Sequence, residues 1–149
     1  MSMLPQAIEN TDERVDSLLA ALVARLPQRL VSRGFKHYSE VPEYDLRKGV
    51  LWVVTHGEGD YATGRGMLTK EGTTNIFLIG HLRVEETDST ETLEKAELAF
   101  IEEVKTAIRQ GHTAMDIGLP SWEKSRLQEH PYGWFVVPAT LGPPRANTN

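Results

Sequence analysis

Between Thr73 and Gln110 the chain reads TTNIFLIGHLRVEETDSTETLEKAELAFIEEVKTAIRQ, a strand, an acidic corner and a long helix in succession. Successive strand side chains alternate faces, so Ile76, Leu78, Leu82 and Val84 form one apolar face. The opposite face runs from Phe77 and Ile79 to His81, Arg83 and Glu85, apolar at one end and charged at the other, and is expected to be half covered. In the helix, Leu93, Ala96, Phe100, Val104, Ala107 and Ile108 recur at spacings of three and four, a stripe that must lie against a sheet. Gly111 stands where a residue of positive φ ends a helix.

The same reading extends outward. Residues 1–9 contain Pro5 and no sustained period and read as a loose arm. Asn10 with Glu13 forms a capping-box signature, and Val15, Leu18, Leu19, Leu22, Val23 and Leu26 mark a helical face up to Pro27, beyond which Leu30 and Val31 could continue the stripe. From Ser32 to Gly49 the pattern is irregular and predicts a loop with one short strand around Phe35 to Tyr38. Val50 to Thr55 is a continuous apolar, β-branched run, the sign of a central strand buried on both faces. Gly57 to Gly72 carries five glycines, either a mobile loop or two ladder extensions around a glycine turn. A weak strand near Lys124 to Gln128, a turn at His130 to Gly133 and a last strand from Gly133 to Val137 follow, with Pro138 placing that strand at an edge or ending it. Gly142 to Asn149 is a Pro-rich flexible tail. Together these predict a single α+β domain over 1–149, an antiparallel or mixed sheet of about four to five strands with two helices on one face.

Composition narrows the function classes. The 149 residues are 40% hydrophobic and 25% charged with net charge -5, which suits one globular domain and not a nucleic-acid grip over the whole surface. The absence of cysteine excludes disulfides and thiolate metal sites. No apolar run of about 18 residues and no basic-then-apolar leader is present, so no membrane association is expected.

A search for chemistry returns little. His37, His56, His81, His112 and His130 stand far apart and form no helical ligand spacing, so no metal is expected. The glycine stretch lacks the Lys-Ser/Thr and following helix of a phosphate loop, since Lys70 precedes Glu71 and then a strand. No serine lies in a nucleophile elbow, and Ser121 and Ser125 read as loop residues. No catalytic residue, cofactor or enzymatic activity is expected. Trp52 lies in the most apolar run and reads as core, whereas Trp134 and Phe135 point to opposite faces, leaving one of them as a candidate subunit contact.

Charge is unevenly placed. Arg25, Arg29, Arg33, Lys36, Arg47 and Lys48 dominate one stretch, and Glu85, Glu86, Asp88, Glu91, Glu94, Glu97, Glu102 and Glu103 another. Solvated faces account for this, and so does a head-to-tail pairing of complementary patches between subunits. The predicted interface set is Arg29, Arg33, Arg47, Glu94, Glu97, Leu98, Ile101 and Trp134.

The order of elements resembles the tail terminator (tail completion) proteins of long-tailed bacteriophages. The likeness spans Asn10 to Leu141: a capped helix, a buried strand, a glycine-rich connection, a strand running into an acidic helix, and a strand pair ending in Gly-Trp-Phe-Val-Val. It rests on layout and size; the basic linker from Ser32 to Gly49 is longer than a minimal version needs. The resemblance implies a structural virion protein, assembled in the host cytoplasm, at the head-proximal end of the tail. It implies a hexameric ring that caps the tail tube protein and joins a head-tail connector protein, with DNA passing through without specific binding. The expected tube-contact loop contains Asp60, Tyr61, Arg65, Met67 and Lys70. Two other readings stand beside it: another head-tail connector protein, or a small ligand-binding domain or enzyme with a site between the 57–72 loop and the aromatics from Trp122 to Trp134.

Overall fold

The computed structural model describes residues 10–59, 61, 72–112 and 116–142. Helix α1, Thr11–Arg25, begins at Asn10, whose side chain accepts from the Glu13 amide at 2.8 Å while the Glu13 carboxylate accepts from the Asn10 amide at 3.3 Å. Two of the helix's orphan donors are thereby satisfied, as the capping-box reading required.

Pro27 ends the helical stripe outright. Leu30 and Val31 turn away into strand β1, Leu30–Ser32, instead of continuing the helix. β1 pairs in parallel with β2, Val50–Gly59. A parallel pair needs a crossover connection, and the segment read as a loop is that connection. It contains a 3-10 turn, Tyr38–Glu40, and a short helix α2, Glu43–Lys48, where the sequence pattern suggested a strand at Phe35 to Tyr38. With six residues, α2 is too short to show a periodic stripe.

β2 is buried from Val50 to Val53, then continues past the predicted end at Thr55. It pairs antiparallel with β3, Thr73–Arg83, up to Gly59 opposite Thr73, through an irregularity between Thr55 and Gly57. The glycine stretch therefore extends the ladder at its first end, Gly57 to Gly59, while Gly72 lies just outside β3, and residues 60 and 62–71 lie outside the described residues. α3, Thr90–Arg109, is capped by Ser89, and Gly111 follows it at φ +76°.

The C-terminal half departs most from expectation. β6, Tyr132–Leu141, runs straight through Pro138 and lies inside the sheet, with β3 on one side and β4, Ile117–Gly118, and β5, Glu123–Lys124, on the other. β5 covers Phe135 and Val136 and β4 covers Thr140 and Leu141, so Pro138 falls in the gap between them, where its missing N–H leaves no ladder bond unmade. Gly142, read as tail, is held: its amide donates to the Asp116 carbonyl at 2.7 Å and its carbonyl accepts from Arg14 at 2.6 Å. Residues 143–149 lie outside the described residues, as does the arm at 1–9.

The described residues thus form an α+β domain with a six-stranded mixed sheet, one or two strands more than read, because two- and three-residue strands leave no periodic signal. α1 and α3 pack on one face. Val15, Leu18 and Leu22 of α1 and Leu93, Phe100, Val104 and Ile108 of α3 close over Leu51, Val53, Ile76, Leu78, Phe135 and Val137. Gly80 is opposite Phe135, and a Cβ there would lie 2.0 Å from its ring, so the close fit of Phe135 against Phe100 needs a glycine at 80.

Candidate functional site

The base of the β2–β3 hairpin is built around a charge that the sequence reading missed. Arg14 has a fully buried side chain; it donates to Glu58 at 2.9 Å, to the Thr74 hydroxyl at 2.8 Å and to the Gly142 carbonyl. Thr11 and Thr74 donate to the same Glu58 oxygen at 2.6 and 2.8 Å. Burial pushes the Glu58 carboxyl up, yet the hydrogen bonds from Thr11, Thr74 and Tyr61 and the nearby Arg14 charge outweigh it and hold it below its ordinary value. A buried guanidinium is costly unless it is paired, and here Nη1 and Nη2 of this α1 residue find partners on β2, β3 and just past the end of β6. Arg14 lies one turn before Leu18, on the buried face of α1, which is the signal that could have found it. Of the predicted loop contacts, only Tyr61 is described, bound to Glu58; Asp60, Arg65, Met67 and Lys70 lie outside the described residues.

The predicted interface set divides. Glu97 and Ile101 are buried in α3 and are not surface groups. Glu97 accepts from Lys124 at 2.9 Å, from the Trp134 amide at 3.1 Å and from the Ser125 hydroxyl, fastening α3 to β5 and β6. It stands one turn after Leu93 and one turn before Ile101, so a carboxylate inside the apolar stripe was itself the clue. Trp134 is half-buried on an interior strand, not on an edge.

The basic and acidic stretches meet within the chain. Arg29 forms a two-point contact with Glu103 at 3.0 and 2.5 Å and lies 4.2 Å above the Phe100 ring. Arg47 reaches Glu43 at 2.6 Å and Glu85 at 3.0 Å, Arg83 contacts Glu43, and Arg33 bridges Asp12 and Asp16, both at 2.8 Å. Each of these arginines has an acidic partner within its own chain. Glu94 and Leu98 remain toward solvent, and among the described residues Glu94 forms no ion pair.

The second sheet face is aromatic. Trp52 donates from its indole to His81 Nδ1 at 3.0 Å, and Phe35 and Tyr38 close over them, with Tyr38 stacked on Tyr132. Burial, then the neighbouring His37, pushes His81 down to about 4, so it is neutral at pH 7 with its proton on Nε2. This cluster is a packed cover for the sheet.

Two of the open grooves bear on the predicted sites. One of about 430 Å3 follows β2 beside Thr55 to Glu58 and the start of α1. The larger, about 930 Å3, lies between the C-terminal end of α3 and residues 116–122, with Arg25, Lys105 and Arg109 at its rim and Trp122 at its edge. The glycine stretch and Trp122, proposed above as sides of one ligand site, line different grooves. Among the described residues no three His, Asp or Glu converge as a metal site, and no helix is long and apolar enough to cross a membrane. In comparison with known proteins, no family model matches the chain and no curated protein matches it significantly.

Proposed function

We propose that the protein is a structural tail terminator of a long-tailed bacteriophage, a ring subunit that caps the tail tube and presents a surface to the head-tail connector. The observation that carries this reading is the β2–β3 hairpin. Its paired strands continue to Gly59 and Thr73, past the last fully buried residue of β2 at Val53, and Thr55, His56 and Gly57 are exposed. Its base is clamped by Arg14, so the two ends of the 60–72 connection are held in a fixed relation to the helix layer. Such an arm suits recognition of a large, preformed surface better than enclosure of a small ligand. The hexameric state, the tube and connector as partners, passage of DNA and location at the head-proximal end of the tail belong to this reading. No enzymatic step, cofactor or membrane anchor does.

Loop-closure entropy varies slowly with length, so replacing Asp60 to Lys70 by a Gly-Asn turn leaves the domain folded. In particles assembled with this variant, electron micrographs are expected to show tails beyond their set length or tails without heads. Tails of normal length on filled heads would refute the proposal that this arm performs capping.

A further inference from the structure

The irregular cover on the second sheet face contains a buried hydrogen bond that a proton would break. His81 Nδ1 accepts from the Trp52 indole at 3.0 Å, and both side chains are buried. A proton on Nδ1 sets one donor against another, because an indole N–H cannot accept. The imidazolium so formed is also costly, since burial strips its hydration. Among the described residues no ion pair reaches His81: Glu43 of α2 engages Arg47 and Arg83, and Lys36 and Glu40 of the crossover are exposed. The other titratable or charged groups of the cluster are His37 and Tyr38 of the crossover, Tyr132 of β6 and Arg83 of the same strand, and none of them is a carboxylate. A charge on His37 opposes a second one on His81.

The cover itself is thin. Residues 33–41 contain no regular element beyond the turn Tyr38–Glu40, and Phe35 is 48% exposed. Their two ends are fixed, one by the pairing of β1 with β2 and the other by the buried Leu46 of α2. The middle can therefore lift while both anchors hold, as a local opening. We propose that protonation of His81 releases residues 33–41 from the sheet and uncovers Trp52, leaving β1, α2 and the helix layer in place. With the cover open, His81 takes up a proton near its ordinary 6.5, and with the cover closed only at about 4. Acid thus favours the open form progressively as pH falls from 6.5 to 4, by a factor on the order of 100, and neutral pH closes it again. A cover open in roughly one molecule in 100 at pH 7 is about half open at pH 4. The inference is independent of the ring reading, because every group it uses belongs to one chain.

The test uses the full chain. Trp122→Phe with Trp134→Phe leaves Trp52 as the single indole, and acrylamide quenching of its fluorescence reads the cover directly. Quenching is expected to rise several-fold between pH 7 and pH 4 and to fall back on return to pH 7, with the far-UV circular dichroism unchanged. His81→Asn in the same background keeps an acceptor oxygen for the indole and cannot take up a proton, so Trp52 is expected to stay shielded at pH 4. The wild-type chain checks the same point without the tryptophan changes. Its amide exchange, corrected for the intrinsic effect of pH, is expected to speed up at residues 33–41 and not in α1 or α3. Trp52 that remains shielded at pH 4 in the folded chain overturns the proposal. So does equal opening in His81→Asn, and so does loss of helical signal in step with the quenching, which would mean global unfolding.

Discussion

The two faces of the sheet are built from the same three long strands and are covered in opposite ways. On the helix side, Leu51, Val53, Ile76, Leu78, Phe135 and Val137 form one cluster with apolar side chains of α1 and α3, and Arg14 and Glu97 are buried at the same helix layer. On the other side, Trp52, His81 and Tyr132 meet Phe35 and Tyr38 from an irregular segment, and the contact includes the Trp52 to His81 hydrogen bond. The helix face is interlocked and largely apolar, so most of its strength is area and fit. The aromatic face uses rings with polar tips, which tolerate water at the rim and do not require a regular cover. A sheet can therefore have one face legible as periodic stripes and the other closed by a segment with no period at all.

The comparison is broken most forcefully at Phe135. Its ring is fully buried against Phe100, and Phe135→Ala is expected to lower stability by about 3–5 kcal/mol in a denaturant titration. A loss below about 1 kcal/mol would mean that the helix face is not the main source of stability.

Acid sharpens the contrast. Above pH 6.5 His81 is neutral in both folded and unfolded chains. Below 6.5 the unfolded chain takes up a proton that the folded chain refuses until about pH 4. Stability contributed by this site therefore falls as pH drops from 6.5 to 4, by up to about 3 kcal/mol, and the slope disappears below that. Urea midpoints measured at pH 7 and 4.5 are expected to differ less in His81→Phe than in the original chain. An equal shift in both proteins would remove His81 as the cause.

The smallest effect is expected at Phe35, which is 48% exposed and makes edge contacts with Trp52 and His81. Phe35→Ala is expected to lower stability by about 1 kcal/mol. A loss as large as that at Phe135 would show that the irregular cover is as integral as the helices.

Individual residues mark how far the sequence could be read. Strand β3 and helix α3 were legible because each has one covered face and enough length to repeat it. The capping box at Asn10 and the glycine after α3 were legible because they satisfy local backbone demands. The crossover helix α2 and strands β1 and β4 were not, since two to six residues are too few for a period to appear, and the weak strand read near Lys124 to Gln128 meets β5, Glu123–Lys124, only at Lys124. Pro138 misled because its rule concerns one side of one position, and only the placement of β4 and β5 shows that side to be empty.

The candidate surfaces divide along the same line. By itself the sequence determined the α+β class, the two helical stripes and the segregation of charge between two stretches, all of which follow from local periodicity and composition. Only the tertiary structure decided which charges were paired within the chain. Arg29 and Arg47 found Glu103 and Glu85, and Glu97 went into the core with Lys124 and Ser125. Glu94 ended without an ion pair among the described residues, and Arg109 lies near enough to Glu102 to help hold its carboxyl below the ordinary value. Ion pairing depends on distances of a few ångströms between segments far apart in the chain, and no spacing along a sequence encodes those distances before the chain has folded.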